Sequence, residues 1–332
     1  RGLGDVYKRQ TLSYVLEKGR KTGIHVESCA CITKGLAGKE LTDMKALREA
    51  GAAGFTDDGI PILDEALVKA AMEQAKELDV PLSFHEEDPA YIENNGINHG
   101  KASAYYQIGG SDRMAEISLV RRDLELALST GAAFDVQHIS AKESVALVRE
   151  AKKRAKEMGM DNIHAEATPH HFSLTEEAAI QYGTLAKMNP PLREEADRMA
   201  VIEGLADGTI DLIATDHAPH SAEEKAKPLT EAPSGIIGLE TAFSLAITNL
   251  VRPGYLDLPT LFERMSLAPA KLYHLPAGQI KEDMPADLIV FDDAAEVVYE
   301  KFASKSSNSP FTGQKLYGRI EMTICEGKEI QK

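Results

Sequence analysis

The sequence predicts an α/β fold: a TIM-like (β/α)8 barrel with parallel strands, followed by a small β-domain. Three observations carry this. Short apolar runs alternate with amphipathic helical patterns over most of the chain. Acids and histidines stand at the C-terminal ends of successive apolar runs, which in a parallel barrel all open onto one mouth. After about residue 280 the helical patterns give way to short strands and turns.

The elements follow in order. RGLGDVYKRQ (1–10) fits no pattern around it and is predicted to be a non-native leader, with native sequence beginning near Thr11 inside the tail of a helix, TLSYVLEKGRKTG. Strands are predicted at 24–32, 52–57, 80–85, 133–138, 162–168 and 211–216. Between them lie the helical stretches LTDMKALREAG, ILDEALVKAAMEQAKEL, AEISLVRRDLELALSTG, AKESVALVREAKKRAKEMG and REEADRMAVIEGLADG. The second keeps Leu, Ala and Val on one stripe and Lys, Glu and Gln opposite. LALSTG and KEMG end in glycine, as helix C-caps do. This alternation implies right-handed crossovers between parallel strands. The barrel is assigned to 11–279 and the β-domain to 280–332, with strands at 287–291 and 319–324 and a turn at Glu326-Gly327-Lys328. Residues 86–114, rich in Gly, Asn and Tyr, form the long insertion, and a loop of that length is functional or flexible.

Composition excludes several function classes. The 332 residues are 43% hydrophobic, enough for one large core and a smaller unit. With 37 basic against 52 acidic residues the formal charge is −15, which repels phosphate backbones and argues against nucleic acid as a partner. No apolar run approaches the roughly 20 residues a membrane helix requires, and the start shows no apolar signal core. The three cysteines, Cys29, Cys31 and Cys325, read as reduced thiols and point to the cytoplasm. Cys29 and Cys31 are expected as small buried residues.

Asp58, His85, His138 and Asp216 each fall at or just past a predicted strand end. Any one alone is a weak signal: a lone histidine is more often hydrogen-bonded structure, and a carboxylate there often caps the next helix. Together they supply nitrogen and oxygen donors of the type borderline divalent metals take, zinc especially. Such a site supports hydrolysis.

The motifs GFTDDG (54–59), SFHEED (83–88), VQHIS (136–140), ATPHHF (167–172), KMNPPLR (187–193) and ATDHAPH (214–220) resemble the bacterial class I dihydroorotases of the amidohydrolase superfamily. So do ITKGLAGKELTDM, APSGIIGLET (232–241) and SKSSNSPFTG. The resemblance implies an amidohydrolase barrel and the reversible closure of N-carbamoyl-L-aspartate to (S)-dihydroorotate in pyrimidine biosynthesis. It implies two Zn2+ ions, with Asp58 bridging them, His85 and His138 on one, and Asp216 on the other as ligand and general acid/base. Asn189 and His220 are implied as donors to the substrate's amide edge and carboxylate, with Ser234 and Gly235 as backbone contacts to its ring; the family often has an aromatic residue at position 234. Asp57, His170, His171, Arg193 and His217 are expected in supporting roles. A homodimer is implied as the assembly.

Two family segments are not present: an His-x-His on the first barrel strand and a Met-Pro-Asn-Thr after the second. The strand at 24–32 therefore corresponds to the family's third. One zinc would keep only Asp58 and Asp216, and the expectation is a barrel lacking its first strands, one compromised metal site, and a chain with poor solubility and little or no turnover. Two alternatives stand beside the enzyme: a metal-deficient partner of aspartate transcarbamoylase, and a hydantoinase or allantoinase. KMNPPLR, and the absence near Asp58 of a segment bearing a bridging lysine, argue against the last.

Overall fold

The computed structural model describes residues 6–330. Residues 1–5 of the expected leader lie outside the described residues, whereas Val6 is buried in the core and its carbonyl accepts from Cys31 N at 3.1 Å. Four strands form one parallel sheet: β1 (Leu82–Phe84), β2 (Phe134–Val136), β3 (Ile163–Ala167) and β4 (Leu212–Ile213), in that spatial order. Parallel bridges Phe55↔Leu82 and Ala30↔Phe55 carry the ladder outward past β1.

The strands expected at 24–32 and 52–57 are thus reduced to brief contacts. Ladder bonds form at Ala30 N→Gly54 O (3.0 Å), Thr56 N→Ala30 O (2.9 Å) and Ser83 N→Phe55 O (3.0 Å). Beyond them, Ile32 N and Thr33 N turn instead to Asp57 Oδ1, at 2.8 and 3.1 Å. A carboxylate replaces the neighbouring strand as acceptor, so regular pairing stops there. Burial raises the Asp57 carboxyl above its ordinary range, partly offset by the Thr33 and Ile32 donors. At the other end Ile24 is exposed, and pairing begins only at Ser28 O, which accepts from Ala53 N.

The crossover helices follow the expected stripes. Glu65–Glu77 starts at Asp64, whose side chain accepts from Ala66 N and Leu67 N, and buries Val68, Ala71, Met72 and Ala75 on one face. Lys142–Glu157 buries Val145, Val148, Ala151 and Ala155. Met114–Thr130 ends at Gly131 with φ 71°, a left-handed cap. The insertion at 86–114 is folded: it holds a short helix (Lys101–Tyr106) and bridges that bring Ile92 and Asn98 to Ser111.

Residues 242–272 carry helices with no periodic signature. Ala242–Ala246 runs on into a π-type turn at Ile247–Val251. Ala242 to Ile247 are all buried, so no polar face marks the helical period. This helix carries the C-terminal sheet, an antiparallel arrangement of β5 (Leu288–Val298), β6 (Lys315–Cys325) and β7 (Lys328–Glu329). Phe243, Phe262 and Phe291 cluster with ring centroids 5.2–6.2 Å apart. Gly318 lets β6 approach the helix: a Cβ there would sit 2.6 Å from Ile247 Cγ1. No helix among the described residues is long and apolar enough to cross a membrane.

Asp57→Ala strands three buried donors of residues 32 and 33. It is expected to lower unfolding stability by about 3 kcal/mol, read as a drop in the urea midpoint at unchanged slope.

Candidate metal centre and substrate loop

Because the sheet is parallel, the chain leaves Phe55, β1, β2 and β4 at the same end, carrying Asp58, His85, His138 and Asp216 with it. Asp58, His85 and His138 each bring one ligand atom to within 4.8 Å of the others. His85 Nδ1 lies 3.1 Å from His138 Nε2, and Asp58 Oδ1 lies 4.0 and 3.6 Å from those two atoms. Both imidazoles are buried, while Asp58 is about one-third exposed.

The orientation of His85 is fixed from behind. Its Nε2 stands 3.1 Å from Glu87 Oε2, and Glu87 Oε1 accepts from Ser111 Oγ at 3.3 Å. A carboxylate oxygen accepts, so His85 carries its proton on Nε2 and turns the Nδ1 lone pair toward His138 and Asp58. Three electron-rich atoms then face one another, which requires a cation between them. Without a metal that cation is a proton on His138. Burial opposes this charge, but the Asp58 contact and the charges of Asp216 and Glu166 outweigh burial and raise the His138 pKa to about 10. Two imidazoles, a carboxylate and a surrounding negative field form a donor set that fits a divalent cation.

Asp216 is not part of this close group, although its charge acts on His138. His138 and Asp216 adopt positive φ (34° and 41°), left-handed backbone that costs a non-glycine residue energy and gathers at functional sites. His217 supports the Asp216 turn: its Nδ1 accepts from Gly238 N at 3.1 Å.

Asn189, buried, sets its side-chain amide 3.2 Å from His85 Nε2. One amide atom faces that nitrogen and the other is buried with no partner among the described residues, so it remains available to a ligand beside the metal group. His171 holds the segment, with Nδ1 on Thr168 Oγ1 (2.8 Å) and Nε2 donating to Pro190 O (3.0 Å). Burial pushes His171 down to about 3, so it stays neutral.

Ser234 and Gly235 sit on a loop tied to the same segment, Gly235 N donating to Lys187 O at 2.8 Å. Gly235 has φ 107°, and a Cβ there would lie 2.5 Å from Ala218 Cβ, so the position requires glycine. Its N–H and C=O are both engaged within the protein, the carbonyl by Lys225 Nζ and Asn308 Nδ2. His220 Nε2 donates to Ser234 O at 3.0 Å, and Ser234 Oγ donates to Asn95 Oδ1 of the insertion at 3.0 Å. The structure thus gathers Asn189, His220, Ser234 and Gly235 around one loop system.

Two organising residues, Glu87 and Asn308, escaped the sequence reading. Glu87 lies inside SFHEED, and the available signal was that a metal-binding histidine needs an acceptor behind it. Asn308, inside SKSSNSPFTG, is buried and joins Ala218 O, Gly235 O and His220 N. Arg193 is buried, with Nε on Ser140 Oγ (2.8 Å) and Nη1 on Asn98 Oδ1 (3.1 Å), fastening the insertion to the loop that follows β2. It fills the supporting role expected of it.

Comparison with known proteins agrees with this architecture. The family model for dihydro-orotase-like proteins matches residues 8–144. A dihydroorotase of Clostridioides difficile is 53% identical over 325 residues, 98% of this chain and 76% of that protein. The chain belongs to the dihydroorotase family. Family members from Clostridium acetobutylicum and Streptococcus pneumoniae are 51% and 48% identical, each over 97% of this chain and 75% of its own length. Among solved structures, L-hydantoinase (dihydropyrimidinase) from Arthrobacter aurescens superposes with TM-score 0.80 at 24% identity, covering 96% of this chain and 73% of that one. D-hydantoinase from Thermus sp. gives 0.77 at 23%, covering 97% and 73%. These two likenesses show that the chain shares the fold of those enzymes. The parallel sheet expected from the sequence is present.

Glu87→Gln keeps the shape but replaces the carboxylate behind His85. Zinc affinity of the Asp58 group, measured by competition with a chromophoric chelator, is expected to fall by about 10- to 100-fold.

Proposed function

We propose that the protein is a zinc-dependent dihydroorotase, interconverting N-carbamoyl-L-aspartate and (S)-dihydroorotate in pyrimidine biosynthesis. The observation that carries this reading is the electron-rich group of Asp58, His85 and His138 at the strand ends of a chain about half identical to dihydroorotases. Asp58, His85 and His138 would hold one Zn2+; Asp58 and Asp216 are the residues this chain offers to a second. Zinc held there supplies Lewis acidity toward an amide carbonyl and toward water.

The remaining steps belong to the chain's own groups. In ring opening the amide C–N bond breaks and a C–O bond to water forms. The Asp216 carboxylate takes the proton from the attacking water and returns it to the departing ring nitrogen; in ring closure the transfers reverse. Asn189 presents its unpaired amide atom to the substrate's amide edge. His220 meets the carboxylate side, where an anion needs local donors against the protein's net charge of −15, and the 234–235 loop lies against the ring.

The test follows both directions with zinc-loaded protein, with hydantoin, dihydrouracil and allantoin in parallel. Dihydroorotate is expected to be favoured in kcat/KM by at least about 100-fold, since these other rings lack its carboxylate. Asp216→Asn is expected to lower kcat about 1000-fold with KM little changed. A higher kcat/KM for any of the other rings would overturn the substrate assignment. Binding of dihydroorotate with no turnover in either direction would favour the non-catalytic partner of aspartate transcarbamoylase.

A further inference from the structure

A second group of metal-ligating side chains lies outside this site and shares no residue with it. His25, Asp287 and Cys325 each bring one ligand atom to within 4.8 Å of the others. They come from three distant parts of the chain. His25 stands on the exposed approach to the Ala30 bridge, Asp287 immediately precedes β5, and Cys325 ends β6. His25 Nε2 lies 3.1 Å from Asp287 Oδ2. The other oxygen, Oδ1, accepts from Glu326 N at 2.7 Å, which aims the carboxylate. The turn that allows this has two left-handed residues, Glu326 (φ 49°) and Gly327 (φ 74°), and Gly327 N closes it on Ala286 O at 3.1 Å. Cys325 is a free thiol, largely buried, whereas His25 is about half exposed. The group therefore has a fixed floor and an open side.

We propose that His25, Asp287 and Cys325 form a thiolate-containing site for a borderline transition-metal ion of the zinc class, distinct from the hydrolytic centre. Sulfur, imidazole nitrogen and carboxylate oxygen are the three donor types tetrahedral zinc accepts, and the thiolate selects against magnesium and calcium. Metal–ligand bonds of about 2.0–2.3 Å place tetrahedral ligand atoms roughly 3.3–3.8 Å apart, so closure requires only small side-chain movements from the observed spacing. On binding, the Cys325 thiol gives its proton to solvent. Thiolate and carboxylate then balance the ion's two charges, and water completes the shell from the open side. The site is a clamp: it joins residues 262 positions apart in sequence and fastens the 20–29 segment to the C-terminal sheet.

Cobalt(II) is the probe, because a cobalt–thiolate bond produces an intense near-ultraviolet charge-transfer band and the Asp58, His85 and His138 group contains no sulfur. The full chain, with its first site filled by zinc, is titrated with cobalt. One further equivalent is expected to bind with that band. Cys325→Ser abolishes the band, and His25→Ala, a change at an exposed position, weakens cobalt binding at least tenfold. Zinc is expected to raise the Tm of the parent chain more than that of His25→Ala. Absence of the band in the parent chain overturns the proposal. So does its persistence in Cys325→Ser, which would place the sulfur at Cys29 or Cys31, or an unchanged affinity in His25→Ala.

Discussion

The parallel hydrogen-bonded ladder from Ala30 through Phe55, β1, β2 and β3 to β4 is the constraint on which the rest depends. A parallel ladder gives every strand the same direction, so the residues that follow each strand must meet. Asp58, His85, His138 and Asp216 are far apart in sequence and share no local motif. The convergence of Asp58, His85 and His138 follows from the register, and Asp216 arrives at the same end outside their close group. Leu82 opposite Phe134 and Phe134 opposite Ile163 set the height at which each imidazole emerges. A slip of one residue would reverse which side chains face inward.

At the mouth, electrostatics take over from hydrogen-bond register. The protein concentrates lone pairs and carboxylates around His138. Glu87 commits His85 to one tautomer, and Glu166 and Asp216 add negative charge around His138. Left to itself such a group holds a proton tightly; a divalent ion offers the same neutralisation with twice the charge. The scaffold thus bears unfavourable self-repulsion at one end in exchange for affinity there.

Much of this was legible in the residues. Amphipathic stripes marked Glu65–Glu77 and Lys142–Glu157 because each has one wet face. Strand ends marked the metal group because an acid or histidine after an apolar run is conspicuous. The helix beginning at Ala242 was not legible, because burial on all sides erases the periodic contrast. Nor was the short pairing at 24–32, since only the folded chain shows Asp57 taking the backbone donors that a strand would otherwise use. Glu87 and Asn308 were hidden for another reason. They act by holding other residues, and such a role is defined by geometry rather than by residue type.

Asn308 bears on what counts as a unit in this protein. It lies in the connection between β5 and β6, within the C-terminal β-region, yet its side chain bonds Ala218 and Gly235 and receives His220 N. The C-terminal sheet region and the loop proposed to meet substrate are therefore joined through one buried side chain. On that proposed reading the β-region is a component of the binding surface rather than an appendage to it. Inheritance, recombination or engineered exchange of the residues before β5 alone would carry the Asp58, His85 and His138 group across intact while leaving the Ala218–Gly235 loop without its anchor.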